Sequence, residues 1–348
     1  MHTKQIGEKL FLIDLEPCGF KNLIASYAVK GEKTAIIETG PTSSIHNLLL
    51  GLKEIGIKPE NVAYVFVTHV HIDHSGGAGS LLKHLPNAKV VVHPRGKQHL
   101  VDPAKLWAGS QEVLGRVAND FGKPEPIPEN RILVADDGMT FDLGNGIELQ
   151  SVETSGHASH HLSYYEHSNS GIFPGDAAGA YFSKFDAVFP TAPPPFLPDL
   201  ALASLEKLIK LNPKALFYSH FGKATDATTC LRSYEAQIRL WLRITLEGVR
   251  NNESAEAIQA RIFAEDSSIR EVIPALMSSP FDRKTLVENS IQGFIDYAEK
   301  QEAKQWPSHS KKSKVEGDIP ADLTDTDSSL VVLLFKKQVF LQHSNITY

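Results

Sequence analysis

Four side chains able to bind a metal fall within six residues of this 348-residue chain: His69, His71, Asp73 and His74. They stand in the run Thr68-His69-Val70-His71-Ile72-Asp73-His74-Ser75-Gly76-Gly77, and the apolar residues 62–67 deliver the chain directly into it. His69, His71 and Asp73 alternate, so on an extended strand end they point to one side. His74 breaks the alternation, which suits a turn that aims its ring at a second position. Gly76 and Gly77 permit close backbone approach before the next helix. Neutral imidazole together with carboxylate suits zinc or another first-row cation. The bland alternative is a polar surface loop. Three imidazoles and a carboxylate packed this densely argue against it, because burying them without a cation costs several desolvation penalties.

Around this run the pattern is first strand-like. Residues 9–15, 22–29 and 34–38 alternate or run apolar between Gly, Pro and charged turns. Residues 45–55 carry helical spacing and end at Gly56. Residues 79–85 read as a helix and 89–93 as a strand. Residues 94–130 mix helical pieces with Pro and Gly and read as a loop-rich insertion over a site. The strand pattern returns at 131–135, 140–143, 147–153, 162–166 and 171–174. An amphipathic helix follows over 200–211, then a strand over 215–218. Two blocks of strands with helices between and after them predict a sheet sandwich flanked by helices.

After Asp226 the character changes. Residues 230–250, 254–264, 268–277 and 284–302 have helical periodicity and almost no strand signal. Residues 306–329 are polar and read as a linker or tail, while 330–341 is strand-like without a place in the architecture.

The formal net charge of -6 argues against a nucleic-acid partner. The two cysteines, Cys18 and Cys230, lie far apart and fit no disulfide framework, which points to a reducing cytoplasm. No signal peptide is visible at the N-terminus, and no apolar run approaches the ~20 residues of a spanning helix.

The segment from His69 to His74 followed by a glycine pair, after an apolar strand, resembles the signature of the metallo-β-lactamase superfamily. The resemblance implies an α+β fold, an αββα sandwich of the metallo-β-lactamase type with a C-terminal helical appendage. A catalytic domain is then expected over 1–225, the appendage over 226–305, and a linker and tail over 306–348. The resemblance also implies three later ligands in order: a His, an Asp and a His. The chain offers His157 in Ser155-Gly156-His157, Asp176 in Phe173-Pro174-Gly175-Asp176, and His220 in Tyr218-Ser219-His220-Phe221-Gly222. Each follows a strand-like stretch, where sandwich proteins place functional loops.

By the family pattern His69, His71 and His157 hold one cation, Asp73, His74 and His220 hold a second, and Asp176 bridges them. Two divalent cations are implied, zinc first, with manganese or iron as alternatives. The implied activity is hydrolysis of an ester, lactone or thioester, as in the lactonase and glyoxalase II-like branch. Two cations ~3.5–4 Å apart share a water, lower its pKa and turn it into the hydroxide nucleophile. They also polarise the carbonyl oxygen. Asp73 is the expected catalytic residue, orienting the nucleophile or passing a proton to the leaving group.

Weaker signals surround this set. His161 falls four residues after His157, where relatives carry a second His that fixes a ligand; a structural histidine is the equal alternative. His160 has no assigned role. Glu38-Thr39-Gly40 resembles a family strand end with Glu where Asp is usual, and a structural role is favoured. One of Tyr164, Tyr165, Tyr181 and Tyr218 is a candidate donor to an oxyanion, against ordinary packing of each ring. His93, His99 and His167 read as surface or packing residues, Trp241 and Phe263 as core, and Pro193–Phe196 as a stiff wall near the cleft.

Two other functions are weighed. Some relatives bind one iron through two His and an Asp and oxidise persulfides, but seven ligands favour two metals. Others are metal-dependent nucleases, usually with a nucleic-acid-binding module that is not evident here. A small-molecule substrate is expected, with no nucleic acid and no membrane. The appendage is expected to line the substrate pocket or to form a homodimer contact.

Overall fold

The computed structural model describes residues 2–278 and 283–305. The described residues form one compact unit. The stretch 306–348, expected as linker, tail and unplaced strand, lies outside the described residues.

The first sheet holds seven strands hydrogen-bonded in chain order. They are β1 (Thr3–Gly7), β2 (Leu10–Asp14), β3 (Ala25–Lys30), β4 (Thr34–Ile37), β5 (Val62–Phe66), β6 (Lys89–Val92) and β7 (Ile132–Val134). β1 to β4 pair antiparallel, and β4 to β7 pair parallel. The change follows from the connections, since a parallel neighbour needs a long crossover. Helix α1 (Ile45–Glu54) joins β4 to β5, and α2 (Ile72–Ser75) with α3 (Ala78–Leu82) joins β5 to β6. α4 (Lys97–Val101), α5 (Ala104–Leu114) and α6 (Arg116–Phe121) join β6 to β7. The segment read as a loop-rich insertion is therefore mostly helical, with its Pro and Gly residues between the helices.

The second sheet holds β8 (Thr140–Asp142), β9 (Glu148–Glu153), β10 (Leu162–Glu166) and β11 (Gly171–Phe173). A separate ribbon follows, β12 (Ala180–Phe182) with β13 (Ala187–Phe189). Helix α7 (Pro198–Lys210) then returns the chain to β14 (Ala215–Tyr218), parallel to β11, and β15 (Gly222–Ala224) closes the sheet in the order β15-β14-β11-β10-β9-β8. β1, β12, β13 and β15 carry no clear strand signal. β1 is a half-exposed, mostly polar edge, and the other three are only three residues long.

Three apolar layers hold the sandwich. Leu12, Tyr27, Phe66 and Val91 of the first sheet meet Leu149, Tyr164, Phe173 and Phe217 of the second. Ile36, Val65 and Val90 on the other face of the first sheet pack with Leu48, Leu81 and Phe121 of its helices. Ile172 and Leu216 of the second sheet pack with Leu205 and the C-terminal helices. Because the side-chain period of a strand is two, each sheet buries both faces and the layer order is αββα.

The C-terminal helices are α8 (Ala227–Arg250), α9 (Ala255–Glu265), α10 (Val272–Met277) and α11 (Arg283–Gln305). Asp226 and Ser254 cap α8 and α9 by accepting from the backbone N–H of Thr229 and Ala257. α8 buries Leu231, Tyr234, Ile238, Trp241 and Ile244 at helical spacing. Trp241 is fully buried and its indole N–H donates to Asp266 Oδ2 at 2.8 Å; Phe263 packs on the same layer. Among the described residues no helix is long and apolar enough to cross a membrane.

Candidate metal centre

β5 ends at Phe66, and the chain leaves it as an extended loop. Thr68 N–H donates to Glu38 Oε1 at 3.1 Å, and Val67 N–H to Val91 O. The strand-like alternation lasts only to His71. The amides of His74 and Ser75 turn back onto His71 O and start α2, so Asp73 sits in a helical turn rather than on a strand end. This is why Asp73 and His74 face a different partner set from His69 and His71. A Cβ on Gly77 would strike the Ile45 side chain, so Gly77 lets α3 close onto α1.

The second sheet supplies the other three residues from strand ends: His157 after β9, Asp176 after β11, and His220 between β14 and β15. All seven side chains come together. His71 Nδ1 lies 2.9 Å from His69 Nε2 and 3.0 Å from His157 Nε2. His220 Nε2 lies 3.1 Å from His74 Nε2 and 3.4 Å from Asp73 Oδ2. Asp176 stands between the two sets. Its Oδ1 is 3.3 Å from His74 Nε2 and 3.6 Å from His220 Nε2, while its Oδ2 is 3.5 Å from His157 Nε2. Three groups of donor atoms result, each within 4.8 Å of one another: His69, His71, His157; His69, His74, Asp176; and Asp73, His74, His220.

The tautomers say what these atoms can accept. His157 Nδ1–H donates to Thr191 O at 2.8 Å, and His220 Nδ1–H to Leu23 O at 3.2 Å. His74 Nδ1 lies 3.3 Å from Glu38 Oε2 as an ion-pair contact without hydrogen-bond geometry. The Nε2 atoms of His74 and His220 face each other 3.1 Å apart among carboxylates that draw positive charge to them, a place where a cation would stand in for a proton. Asp176 Oδ1 is buried and makes no hydrogen bond among the described residues. Imidazole nitrogens and an unpaired carboxylate oxygen converging in a buried place fit a cation.

Charge divides the site. Burial, with neighbouring imidazoles, pushes His69 well below its ordinary value, and burial followed by His157 holds His71 down to about 3. Burial also lowers His157. His74 and His220 go the other way. Burial opposes their charge, but Asp73, Asp176 and Glu38 around His74, and Asp176 and Asp73 around His220, raise both. Burial would raise Asp73 and Asp176; the imidazoles, His74 foremost, hold both carboxyls below the usual range.

A closed relay beneath the site fixes Asp176. Its backbone N–H donates to His161 Nε2 at 3.2 Å, so the His161 proton is on Nδ1, 2.8 Å from Thr154 Oγ1. Thr154 then donates to Ser163 Oγ at 2.9 Å, and Ser163 donates to Pro174 O at 3.2 Å. The chain starts and ends on the Pro174–Asp176 turn, and every proton in it has one direction. Gly175, at φ 53, lets this turn lie against Thr68 and His161, where a Cβ would come within 2.6 Å and 2.7 Å. His161 thus acts through Asp176. Glu38, itself at φ 67, spans the ligand loop amide and the His74 ring. Thr154 and Ser163, and the carbonyls of Leu23 and Thr191, carried no sequence signal.

The site opens into a cavity of about 600 Å³. Of the four tyrosines only Tyr181 lines it, and its hydroxyl donates to Asp186 at 2.8 Å. Tyr164 is buried and donates to Val67 O, Tyr218 is buried beneath Tyr181, and Tyr165 packs on His167. Pro193 and Pro194 form part of the wall, and Phe196 packs inward on Phe294. His93 accepts from the Arg95 amide as a turn cap, and His167 is exposed. His99, expected as surface or packing, lines the cavity, its ring 6.1 Å from that of His160. His160 stacks toward His69, and burial with His99 lowers it to about 4.

The sequence profile of the metallo-beta-lactamase superfamily matches residues 22–220. The metallo-beta-lactamase fold-containing protein ST1585 of Sulfurisphaera tokodaii is 32% identical over 218 residues, 61% of this chain and 78% of that protein. A crystal structure of an archaeal metallo-beta-lactamase superfamily protein, ST1585 from Sulfolobus tokodaii, aligns with a TM-score of 0.62 at 27% identity, covering 82% of this chain and 98% of that one. The N-acyl homoserine lactonase AttM of Azorhizobium caulinodans is 31% identical over 113 residues, 32% of this chain and 39% of that protein. With the profile spanning more than half of the sequence and the αββα sandwich that carries the seven side chains, the chain belongs to the metallo-beta-lactamase superfamily.

Proposed function

We propose that this chain is a metal-dependent hydrolase of a carboxylic ester, lactone or thioester, acting on a small molecule. The observation that carries the reading is the pair of Nε2 atoms of His74 and His220, 3.1 Å apart, with Asp176 and Asp73 beside them. His69, His71 and His157 would hold one divalent cation and Asp73, His74 and His220 a second, with Asp176 standing between the two sets. Bound there, such cations lower the pKa of a water and polarise a carbonyl oxygen.

The chain's own residues do the rest. Asp73 is a quarter exposed to the cavity and ionised at neutral pH, so its carboxylate orients a water and relays a proton to the leaving oxygen. His161, Thr154 and Ser163 hold the Asp176 backbone in place. A glutathione carrier is disfavoured. Arg95 donates to Ser159 O, Lys97 pairs with Glu129 and Lys223 donates to Ile6 O, none of the three lines the cavity, and among the described residues the only lysines that do, Lys105 and Lys184, are not joined by an arginine. The relative named as a lactonase supports keeping lactones among the substrates.

Elemental analysis of protein purified without added metal, followed by assay with zinc or manganese against esters, lactones and thioesters, tests the reading. About two metals per chain and turnover of one series are expected. Full metal loading without turnover of any series sinks the hydrolase, and about one iron per chain favours the persulfide-oxidising alternative.

A further inference from the structure

We propose that the cavity over the site takes an unbranched aliphatic acyl chain, so that the bond cut is the acyl bond of a long-chain ester, lactone or thioester. This rests on the hydrolase reading and adds the substrate's shape to it. His71, Asp73, His157, Asp176 and His220 lie at one side of the cavity. Away from them the walls are mostly apolar and come from three separate parts of the fold: Leu106 and Val113 of α5, Phe182 and Phe185 of the β12–β13 ribbon, and Leu276 and Leu286 of α10 and α11. Outside the candidate ligands the titratable lining groups are only His99, Lys105, Tyr181 and Lys184, with no carboxylate and no arginine among the described residues.

The volume points the same way. About 600 Å³ is the size of a site that engulfs a drug-sized ligand, far more than a reacting carbonyl needs. The mouth is apolar too, since Val113 is 51% exposed and Leu286 is 40% exposed while both line the cavity. Apolar side chains held open to water beside a polar reaction centre fit a ligand with a reactive head and an apolar tail. The head meets the histidines and carboxylates, and the tail covers the apolar walls. Water adds to the carbonyl and the acyl C–O or C–S bond breaks; an ester or thioester releases a fatty acid and an alcohol or thiol, a lactone opens to one hydroxy acid, and no oxidant or reductant is required.

The test uses the metal-loaded full chain and p-nitrophenyl esters from acetyl to decanoyl, with matching lactone and thioester series. Each added methylene should raise kcat/KM about fourfold, mainly through KM, until the cavity is full. The series that turns over identifies the head group. Turnover that is flat or falling with chain length in every active series overturns the acyl-chain proposal and leaves the hydrolase standing. Absence of turnover in all series sinks the hydrolase instead. A binding measurement then decides the chain on its own: displacement of the fluorescent probe 11-(dansylamino)undecanoic acid by alcohols from butanol to decanol. Affinity rising about fourfold per methylene supports the proposal, and no displacement overturns it. Val113→Asp, at an exposed position, should lower the decanoyl-to-acetyl ratio at least tenfold and weaken the probe. Leu286→Asp serves as the second variant. An unchanged ratio and unchanged probe affinity in both overturn the proposal.

Discussion

His69, His71 and His157 meet with one carboxylate, Asp176, at their edge, whereas His74 and His220 sit among Asp73, Asp176 and Glu38. The residue type is the same and the outcome is opposite. The first three rings are held neutral, with burial as the leading cause. The other two are drawn toward the charged form by their carboxylates. A positive charge is therefore wanted more strongly on the Asp73, His74 and His220 side, where a proton takes its place when no cation is bound. We expect the first cation to load on that side and the second to follow into the three-histidine group.

The largest effect should come from the residue both sides share. Asp176→Ala removes the one carboxylate that reaches His74, His157 and His220, and breaking a buried charged contact costs ~3–5 kcal/mol. Metal affinity should fall about 10²–10⁴-fold by that cost, with cation content dropping below two per chain by elemental analysis. Retention of two tightly held cations in Asp176→Ala would break the idea of a shared residue. Next in size is Glu38→Gln. The amide oxygen still accepts from Thr68, but the charge facing His74 Nδ1 is gone, and outer partners of this kind are worth about 10–100-fold in metal affinity. Only the cation of the Asp73, His74 and His220 side should weaken. Equal weakening of both binding steps in a calorimetric titration would erase the asymmetry between the two groups.

Metal-free protein should show the same opposition as a pH dependence. His71, held at about 3, and His160, held at about 4, bind fewer protons folded than unfolded between those values and 6.5. Stability is then complete above 6.5 and lost as pH falls toward them. His74 and His220 are raised when folded, so they bind more protons folded than unfolded above 6.5. Their contribution is complete below 6.5 and lost as pH rises through the folded values. The chelated protein should therefore melt highest near pH 6.5 and several degrees lower on either side. Saturating zinc should abolish the alkaline fall, because the cation replaces the proton. A melting profile whose alkaline limb survives zinc would contradict the assignment of the raised pair.

These contrasts also explain what could be read in advance. His69 to His74 are legible because four donors stand together, and His157, Asp176 and His220 because each closes a strand-like stretch in the order the superfamily uses. The layered fold was legible from strands in two blocks with helices between. Asp73 was misplaced on a strand end because alternation alone does not reveal where α2 begins. The supports left no trace: the carbonyls of Leu23 and Thr191 belong to every residue alike, and Thr154 and Ser163 look like any hydroxyls on a strand. The cavity walls were hidden for a different reason. Residues 94–130 were read as an insertion over a site and the appendage as a pocket wall or dimer contact, but an apolar helix face shows the same periodicity whether it meets a core or an open cavity, so which residues of α5 and α10 line the site was not legible.

The smallest effect isolates the relay from the cations. Thr154→Val keeps shape but removes the hydroxyl that accepts from His161 Nδ1 and donates to Ser163. Both groups are buried, and stranding a buried polar group costs ~1–3 kcal/mol. The melting temperature should fall by roughly 2–6 °C on that basis. No charge is touched, so both cations should stay, with affinity weakened less than by Glu38→Gln. The comparison becomes sharp when the two variants are set side by side: one shifts metal affinity with little loss of stability, the other shifts stability with little loss of metal. If Thr154→Val melts within 1 °C of the parent by the same scale, the hydroxyl chain under Asp176 is not what holds the turn. If it instead strips one cation, His161 reports to the metals more directly than through the Asp176 backbone.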